Sequence, residues 1–250
     1  MQSFKAYRNA VAPHRAAAFF FVMTKTTKTD FSFLPTDTPM LDFEKEASAA
    51  GHSFVAGVDE AGRGCCAGPV VAAAVVFTDR TRIPEGINDS KKLTPKKRME
   101  LRELLMNDPS ILYAIGQVHA EEIDSINILQ ATWKAMRLAL EGIREADFAL
   151  IDGNPVKGLH LPSQSIVKGD AKSASIAAAS ILAKTTRDLW IEAAAEQYPD
   201  YAFEVHKGYC TPLHTERIRL HGPCPIHRMT FEPVKSILNP PDLIQDDLFG

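Results

Sequence analysis

The sequence lacks a C-x-x-C pair. Its four cysteines, Cys65, Cys66, Cys210 and Cys224, include two neighbours and no metal-ligand spacing. That argues against a dense disulfide scaffold and a structural zinc site and fits a reducing cytoplasm. It also lacks a long apolar run: the longest, Ala16 to Met23, is eight residues, where a membrane-spanning helix needs ~20. A soluble, cytoplasmic protein with no membrane partner is expected. There is no excess of either charge, since 28 Lys and Arg face 31 Asp and Glu for a formal charge of -3. The molecule as a whole has no cationic field to gather polyanions, so any grip on nucleic acid must come from local patches. No internal repeat is present. With 250 residues, 45% of them apolar, the chain can close one large core and carry a small appendage.

Residues 1–29 contain no acid and end in a Thr/Lys-rich stretch, a composition resembling an organellar transit peptide. Met23 or Met40 could equally start a shorter protein, and residues 1–52 are read as an unstructured leader or a mis-assigned start. Folded pattern is expected from about Phe54. Phe54–Val58, Pro69–Phe77 and Ile111–Val118 read as strands, with a helix opening at Thr94-Pro95 between the last two. Ile126, Leu129, Trp133, Met136, Leu140 and Ile143 form the stripe of one long amphipathic helix. Phe148–Ile151 and Ser165–Val167 are short apolar runs, and an Ala/Ser-rich helix spans about Ala171 to Ala195. This order predicts an α/β fold, a mixed five-stranded sheet flanked by helices. The catalytic domain is expected over 53–196, a C-terminal helical substrate-binding region over 197–238, and a flexible acidic tail over 239–250.

Acids sit where the apolar runs stop. Asp59 and Glu60 follow the first strand, Asp152 the fourth, and Asp170 the fifth. Alone, each has an ordinary explanation as a turn residue or helix cap. On neighbouring strands they would converge, and each charge pair ~4 Å apart would repel by roughly 4 kcal/mol at an effective dielectric near 20. Either some carboxyls stay protonated or divalent cations bind among them. Oxygen ligands without His or Cys favour Mg²⁺ or Mn²⁺, and such a site suits phosphoryl chemistry with two ions. Basic charge is concentrated nearby: Arg82 to Arg102 holds seven Lys and Arg against three acids, and Lys157 to Arg187 five against Asp170 alone. Lys168 and Lys172, flanking Asp170, are candidate phosphate contacts. Gly62-Arg63-Gly64 would let bare backbone approach a ligand.

These residues, in this order, resemble the ribonuclease HII family. The resemblance lies in Gly57-Val58-Asp59-Glu60-Ala61-Gly62-Arg63-Gly64, Asn88-Asp89-Ser90-Lys91-Lys92-Leu93, Ile151-Asp152-Gly153-Asn154 and Lys168-Gly169-Asp170. It continues through Ser180-Ile181-Leu182-Ala183-Lys184 with Arg187-Asp188 and His206-Lys207-Gly208-Tyr209, covering about Phe54 to Lys235. It implies a ribonuclease H-like fold and a nuclease acting on RNA/DNA hybrids and on single ribonucleotides in duplex DNA, with 3′-hydroxyl and 5′-phosphate products. It implies Asp59, Glu60, Asp152 and Asp170 as metal-binding, catalytic acids with two Mg²⁺ or Mn²⁺ ions. Gly62, Arg63 and Gly64 match the tripeptide that senses the ribose 2′-hydroxyl, the atom that tells RNA from DNA. Tyr209 matches the tyrosine that stacks on the sugar on the DNA side of the junction, and Lys92, Lys168, Lys172 and Lys184 complete the expected substrate contacts. Cys65, Cys66 and Cys210 depart from the family pattern and are read as packing residues. Ribonuclease HIII shares the acids, but Arg63 and the short, polar first 52 residues weigh against it; a binding protein with a dead site would have lost one of the acids. Gln245, Leu248 and Phe249 in the tail resemble a peptide that docks on the bacterial sliding clamp. A monomer is expected.

Overall fold

The computed structural model describes residues 32–240. The leader up to residue 31 and the tail residues Gln245, Leu248 and Phe249 lie outside the described residues. Five strands form one mixed sheet: β1 (Val55–Ala61), β2 (Val70–Phe77), β3 (Ile111–Val118), β4 (Phe148–Asp152) and β5 (Ser163–Ile166), in the order β3-β2-β1-β4-β5. β1, β2 and β3 pair antiparallel as a meander, whereas β4 and β5 join in parallel. The crossover that makes β4 parallel to β1 is supplied by a long helix, as parallel pairing requires.

Both faces of the sheet are covered. β2, Val70 to Phe77, is buried at every position, which is why it reads as a continuous apolar run instead of an alternation. Its even residues pack with Ala56, Val58 and Ile151 against α3 (Ala120–Glu141) through Ala131, Ala135 and Leu140. Its odd residues face α2 (Pro95–Asn107) and α4 (Ala174–Gln197), through Leu101, Leu105 and the run Ala177 to Ala183. The small residues of α4 allow close approach. At Gly57 a Cβ would stand 2.1 Å from the backbone carbon of Ser175, so β1 lies almost on the first turn of α4 two residues before Asp59.

Two expectations are corrected. The helix expected from Ile126 to Ile143 is two helical pieces: Asn127 has φ 66°, and its side-chain oxygen accepts from the N–H groups of Leu129 and Gln130. The break is thus a helix cap inside the apparent run, a use to which asparagine is suited because it tolerates left-handed backbone. Residues 197–238 form a helical region of short pieces. They contain α5 (Phe203–His206), α6 (Pro212–His221) and α7 (Val234–Leu238), joined by turns. Their core, with Tyr201, Phe203 and Ile218, continues into Trp190 and Ile191 of α4 and into Cys66 and Ala67. The carboxylate of Asp124 fastens this region to α3 by accepting from the backbones of Met229 and Thr230.

The second correction concerns the leader expected over 1–52. Within it, α1 (Asp42–Ala49) is helical and buries Leu41, Glu44 and Ala47. Its sequence looks solvated because four of its first five residues other than Phe43 are charged. The inward-facing charge is Glu44, only 2% exposed. One of its oxygens accepts from the hydroxyls of Ser173 and Ser175, both at 2.6 Å, and from the Ser175 N–H at 3.0 Å. Ser173 in turn caps α4. The carboxylate therefore reinforces the N-terminus of the helix that follows Asp170, where negative charge is favoured. Replacing Glu44 with Ala leaves three buried donors without their acceptor and should cost about 2–4 kcal/mol. Urea unfolding measures it; a change below ~1 kcal/mol would contradict this role.

Candidate metal centre and substrate face

Strand alternation and register decide which acids meet. Val58 pairs with Ile151 in the parallel β1–β4 ladder, so Asp59 and Asp152 leave adjacent strands at the same end. Val58 and Ile151 face α3; by the two-residue period of a strand, Asp59 and Asp152 face the opposite side, toward α4. Asp170 sits in the 3-10 turn Gly169–Ala171 between β5 and α4, next to both. One carboxylate oxygen of each of Asp59, Asp152 and Asp170 lies within 4.8 Å of the others. Glu60 falls outside this trio. It is the next residue on β1, so alternation turns it away, and it pairs with Arg63 at 3.3 Å.

The local chain holds the trio in place. Asp59 accepts from the N–H of Glu60 at 2.6 Å, and Asp152 from the N–H of Gly169 at 2.6 Å. The second bond ties the end of β4 to the turn bearing Asp170. Lys168 enters that turn in the left-handed conformation, φ 57°. Charge crowding shows in the protonation equilibria. Burial, then the charges of Glu60 and Asp152, hold the Asp59 carboxyl well above its ordinary value of 3.8. Burial, then Asp152 and Asp89, raise Asp170. Burial raises Glu60, with Arg63 opposing. A divalent cation among Asp59, Asp152 and Asp170 would offset the repulsion between them, and three carboxylate oxygens without imidazole or thiolate suit a hard ion with oxygen preference. The donor set fits the ion expected there.

Two groups close to the acids were not singled out from the sequence. Lys91 answers the carboxylates: desolvation lowers its pKa, but Asp59, Asp89, Asp170 and Asp152 together raise it above the ordinary lysine value. Lys91 and Lys92 are both exposed to solvent. Asp89 is a further acid beside Asp170. Both lie in the Asn88 to Leu93 block, where the signal was present but a single position could not be chosen without the fold.

The tripeptide Gly62-Arg63-Gly64 follows β1 and is held from behind by two arginines with no exposed surface, Arg187 and Arg228. Arg228 donates to the carbonyls of Gly62 (2.7 Å), Arg63 (2.9 Å) and Gly68 (2.9 Å). Arg187 donates to Ala67, Pro69 and Lys207. Gly62 has φ +94°, and a Cβ there would meet Arg187 Nε at 2.2 Å, so the arginine side chain occupies the space only glycine leaves. A Cβ on Gly64 would meet nothing within 4 Å. Fully buried arginines fixed on backbone carbonyls are legible only in three dimensions.

The remaining expected substrate residues surround this face. Tyr209, 43% exposed, lies opposite Cys65 in an isolated antiparallel bridge. The Lys184 ammonium and the Arg187 guanidinium stand 5.6 and 5.8 Å from its ring centre. Lys184 also pairs with Asp188 at 2.7 Å. Lys168 and Lys172 are exposed, with Lys172 donating to the Val167 carbonyl. Among the described residues, no helix is long and apolar enough to cross a membrane.

A mixed five-stranded sheet whose central strands end in clustered carboxylates defines a metal-binding nuclease of the ribonuclease H class. A family model described as ribonuclease HII matches residues 56–234. Ribonuclease HII of Chlamydia caviae is 50% identical over 201 residues, covering 78% of this chain and 92% of that protein. The crystal structure of ribonuclease H2 from Pyrococcus horikoshii OT3 superimposes with a TM-score of 0.62 at 31% identity, covering 74% of this chain and 96% of the other. Ribonuclease HII of Archaeoglobus fulgidus, solved in complex with PCNA, gives a TM-score of 0.60 at 27% identity and covers 72% and 95%. The chain belongs to the ribonuclease HII family.

The raised carboxyls set a sign for stability. A carboxyl with a higher pKa folded than unfolded binds more protons in the folded state between the two values, so its ionisation destabilises the fold as pH rises from about 4. In the metal-free protein, Asp59→Asn should therefore raise the melting temperature at pH 7 by several degrees, with the gain shrinking toward pH 4. Thermal melts in chelator at both pH values check this; a variant less stable than the parent at pH 7 would contradict it.

Proposed function

We propose that this chain is an endonuclease that hydrolyses the RNA strand of RNA/DNA hybrids and incises at single ribonucleotides in duplex DNA, leaving 3′-hydroxyl and 5′-phosphate ends. The observation that carries this reading is the convergence of Asp59, Asp152 and Asp170 at the ends of adjoining elements in a ribonuclease HII chain. Mg²⁺ or Mn²⁺, as a pair of ions, is the cofactor. When bound, the ions supply a water of lowered pKa and neutralise charge at the scissile phosphate.

The side chains then have separate tasks. Asp59 and Asp152 hold the ions, fixed by the Glu60 and Gly169 N–H groups. Asp170 and Glu60 complete the ligand set or orient water. Lys91, beside the acids, offers a positive charge to phosphate. Arg228 restrains the carbonyls of Gly62 and Arg63, so the tripeptide's conformation is set before substrate arrives, and Gly64 leaves room for a sugar. This is the arrangement that detection of a 2′-hydroxyl by backbone groups needs, because an unrestrained loop would bind ribose and deoxyribose alike. Tyr209 offers its ring to the sugar on the DNA side of the junction, while Lys92, Lys168, Lys172 and Lys184 attract the backbone. Residues 197–238 work as the substrate-binding region of a monomeric, cytoplasmic enzyme.

Asp152→Asn keeps the side chain's shape and removes its charge, so cleavage of a duplex with one ribonucleotide should fall at least about 10³-fold while binding to that duplex changes little. The all-DNA twin and a chelator-treated sample serve as controls. Cleavage near the parent rate would refute the reading.

The tail supports a second part of the proposal. Gln245, Leu248 and Phe249 form a short motif for docking on a sliding clamp, and the Archaeoglobus relative was solved with such a clamp. Tethering would raise the enzyme's local concentration on clamp-loaded DNA. A chain ending at Pro241 should lose clamp affinity by about tenfold or more with hydrolysis of free duplex unchanged; equal affinity for the two chains would dispose of it.

A further inference from the structure

Three histidines beneath the substrate face have no part in the chemistry above. His206, His214 and His227 are buried, and all of their ring nitrogens have partners. The backbone partners favour one arrangement of the protons on these rings, with the Cys66 sulfur, 3.4 Å from His214 Nδ1, a further neighbour. The Gly208 N–H donates to His206 Nδ1 at 3.2 Å, so that nitrogen is bare and His206 Nε2 carries the hydrogen that goes to the Tyr201 carbonyl at 2.8 Å. The Cys224 N–H donates to His227 Nδ1 at 2.9 Å, and the Cys224 sulfur lies 3.1 Å from the same nitrogen. The Cys224 carbonyl also lies 3.2 Å from that nitrogen, but it already accepts from the His227 backbone N–H at 2.9 Å, and a hydrogen on Nδ1 would confront the closer Cys224 N–H, which assigns the His227 hydrogen to Nε2.

His227 Nε2 stands 3.0 Å from His214 Nε2. Two nitrogens at that distance share one hydrogen, which His227 supplies. His214 Nε2 is therefore an acceptor, and its hydrogen is on Nδ1, 2.9 Å from the Tyr209 carbonyl. A directed chain results: Cys224 N–H to His227, His227 to His214, His214 to the carbonyl of Tyr209. Burial keeps the rings neutral, lowering His214 to about 3 and His227 to about 4. His206, stacked on His214 with centroids 4.1 Å apart, is lowered as well by burial; Glu204 raises it and Lys207 lowers it.

The destination of the chain gives it meaning. The Tyr209 N–H donates to the His206 carbonyl at 2.9 Å, so the peptide groups on both sides of the Tyr209 Cα end on this histidine cluster. The two preceding residues, Lys207 and Gly208, are both left-handed, with φ 51° and 78°. That turn is strained at Lys207 and persists only if its surroundings hold it. We propose that His214, locked in one tautomer by His227, is a positioning residue for Tyr209 and so for recognition of the DNA side of the ribonucleotide junction. The inference rests on the reading of Tyr209 as the sugar-contacting side chain. The Thr211 N–H also donates to the Tyr209 carbonyl, at 2.8 Å, so loss of the Nδ1 donor leaves that carbonyl with one anchor where it had two, which loosens the ring and weakens substrate capture without touching the acids.

Steady-state kinetics of the full-length enzyme on a duplex with one ribonucleotide, at saturating Mg²⁺, test this. His214→Phe should raise KM about tenfold, the worth of one well-placed buried hydrogen bond, with kcat altered less than about twofold. His214→Asn puts an amide nitrogen where Nδ1 stood and should recover most of the loss. In a Tyr209→Ala background His214→Phe should add nothing. An unchanged KM for His214→Phe, no recovery by Asn, or the same increment with and without Tyr209 would each overturn the proposal. If Tyr209→Ala alone leaves KM unchanged, the underlying reading of Tyr209 fails instead, a separate result from failure of the relay. Nitrogen-15 NMR of the unaltered protein reads the relay without any variant. His206 and His227 should appear as neutral Nε2–H rings and His214 as a neutral Nδ1–H ring, none titrating between pH 8 and pH 5.5. His214 in the other tautomer, or protonated within that range, would overturn it.

Discussion

Mutual repulsion among carboxylates gathered at one end of β1 and β4 constrains everything near the site. Asp59 and Asp152 are adjacent because their strands pair in parallel, and Asp170 joins them because the turn after β5 is tied to Asp152 through the Gly169 N–H. Burial and then this crowding raise Asp59 and Asp170, and the same acids raise Lys91 against its desolvation. An acid cluster of this kind costs stability in the empty protein, and the rest of the fold carries that cost. Small residues along α4 let the helix lie against β1, and Glu44 reinforces the first turn of that helix from outside the span that matches the family model. The binding of cations then turns the unfavourable field into the source of affinity.

A second constraint acts on the substrate side. Arg187 and Arg228 have no exposed surface, yet their hydrogen bonds go to backbone carbonyls instead of carboxylates. Such buried cations are tolerated because oriented carbonyl dipoles replace water around them. Desolvation lowers Arg228 to about 10, still charged at neutral pH. The result is a rigid tripeptide loop facing Tyr209, with two cationic side chains against the tyrosine ring. Selectivity for one sugar hydroxyl needs that rigidity, since a single hydrogen bond discriminates only where the partner cannot adapt.

Much of this was legible in the letters. Long apolar runs without alternation located β2, the Thr94-Pro95 pair located the start of α2, and acids at the ends of apolar runs located the trio. What escaped was set by contacts distant in sequence. Glu44 reads as a solvated charge until its serine partners, some 130 residues away, are known. Asn127 reads as one polar residue in an amphipathic stripe, although its left-handed backbone divides the helix. Glu60 lies outside the aspartate trio and pairs with Arg63, yet its charge is among those that raise Asp59, a balance that chain adjacency does not reveal. Arg187 and Arg228 look like two more surface charges, because burial of a guanidinium on carbonyls leaves no local signature.

The central claim is that the acid trio is a cation site whose empty form retains extra protons. Calorimetric titration of the nucleic-acid-free protein with Mn²⁺, in buffers of different ionisation enthalpy across pH 5 to 8, measures it directly. The account predicts that ion binding expels protons at the acidic end of the range, and that the number expelled falls as the pH rises and the carboxyls ionise unaided. Binding with no proton release at any pH, or no binding until substrate is added, would contradict it.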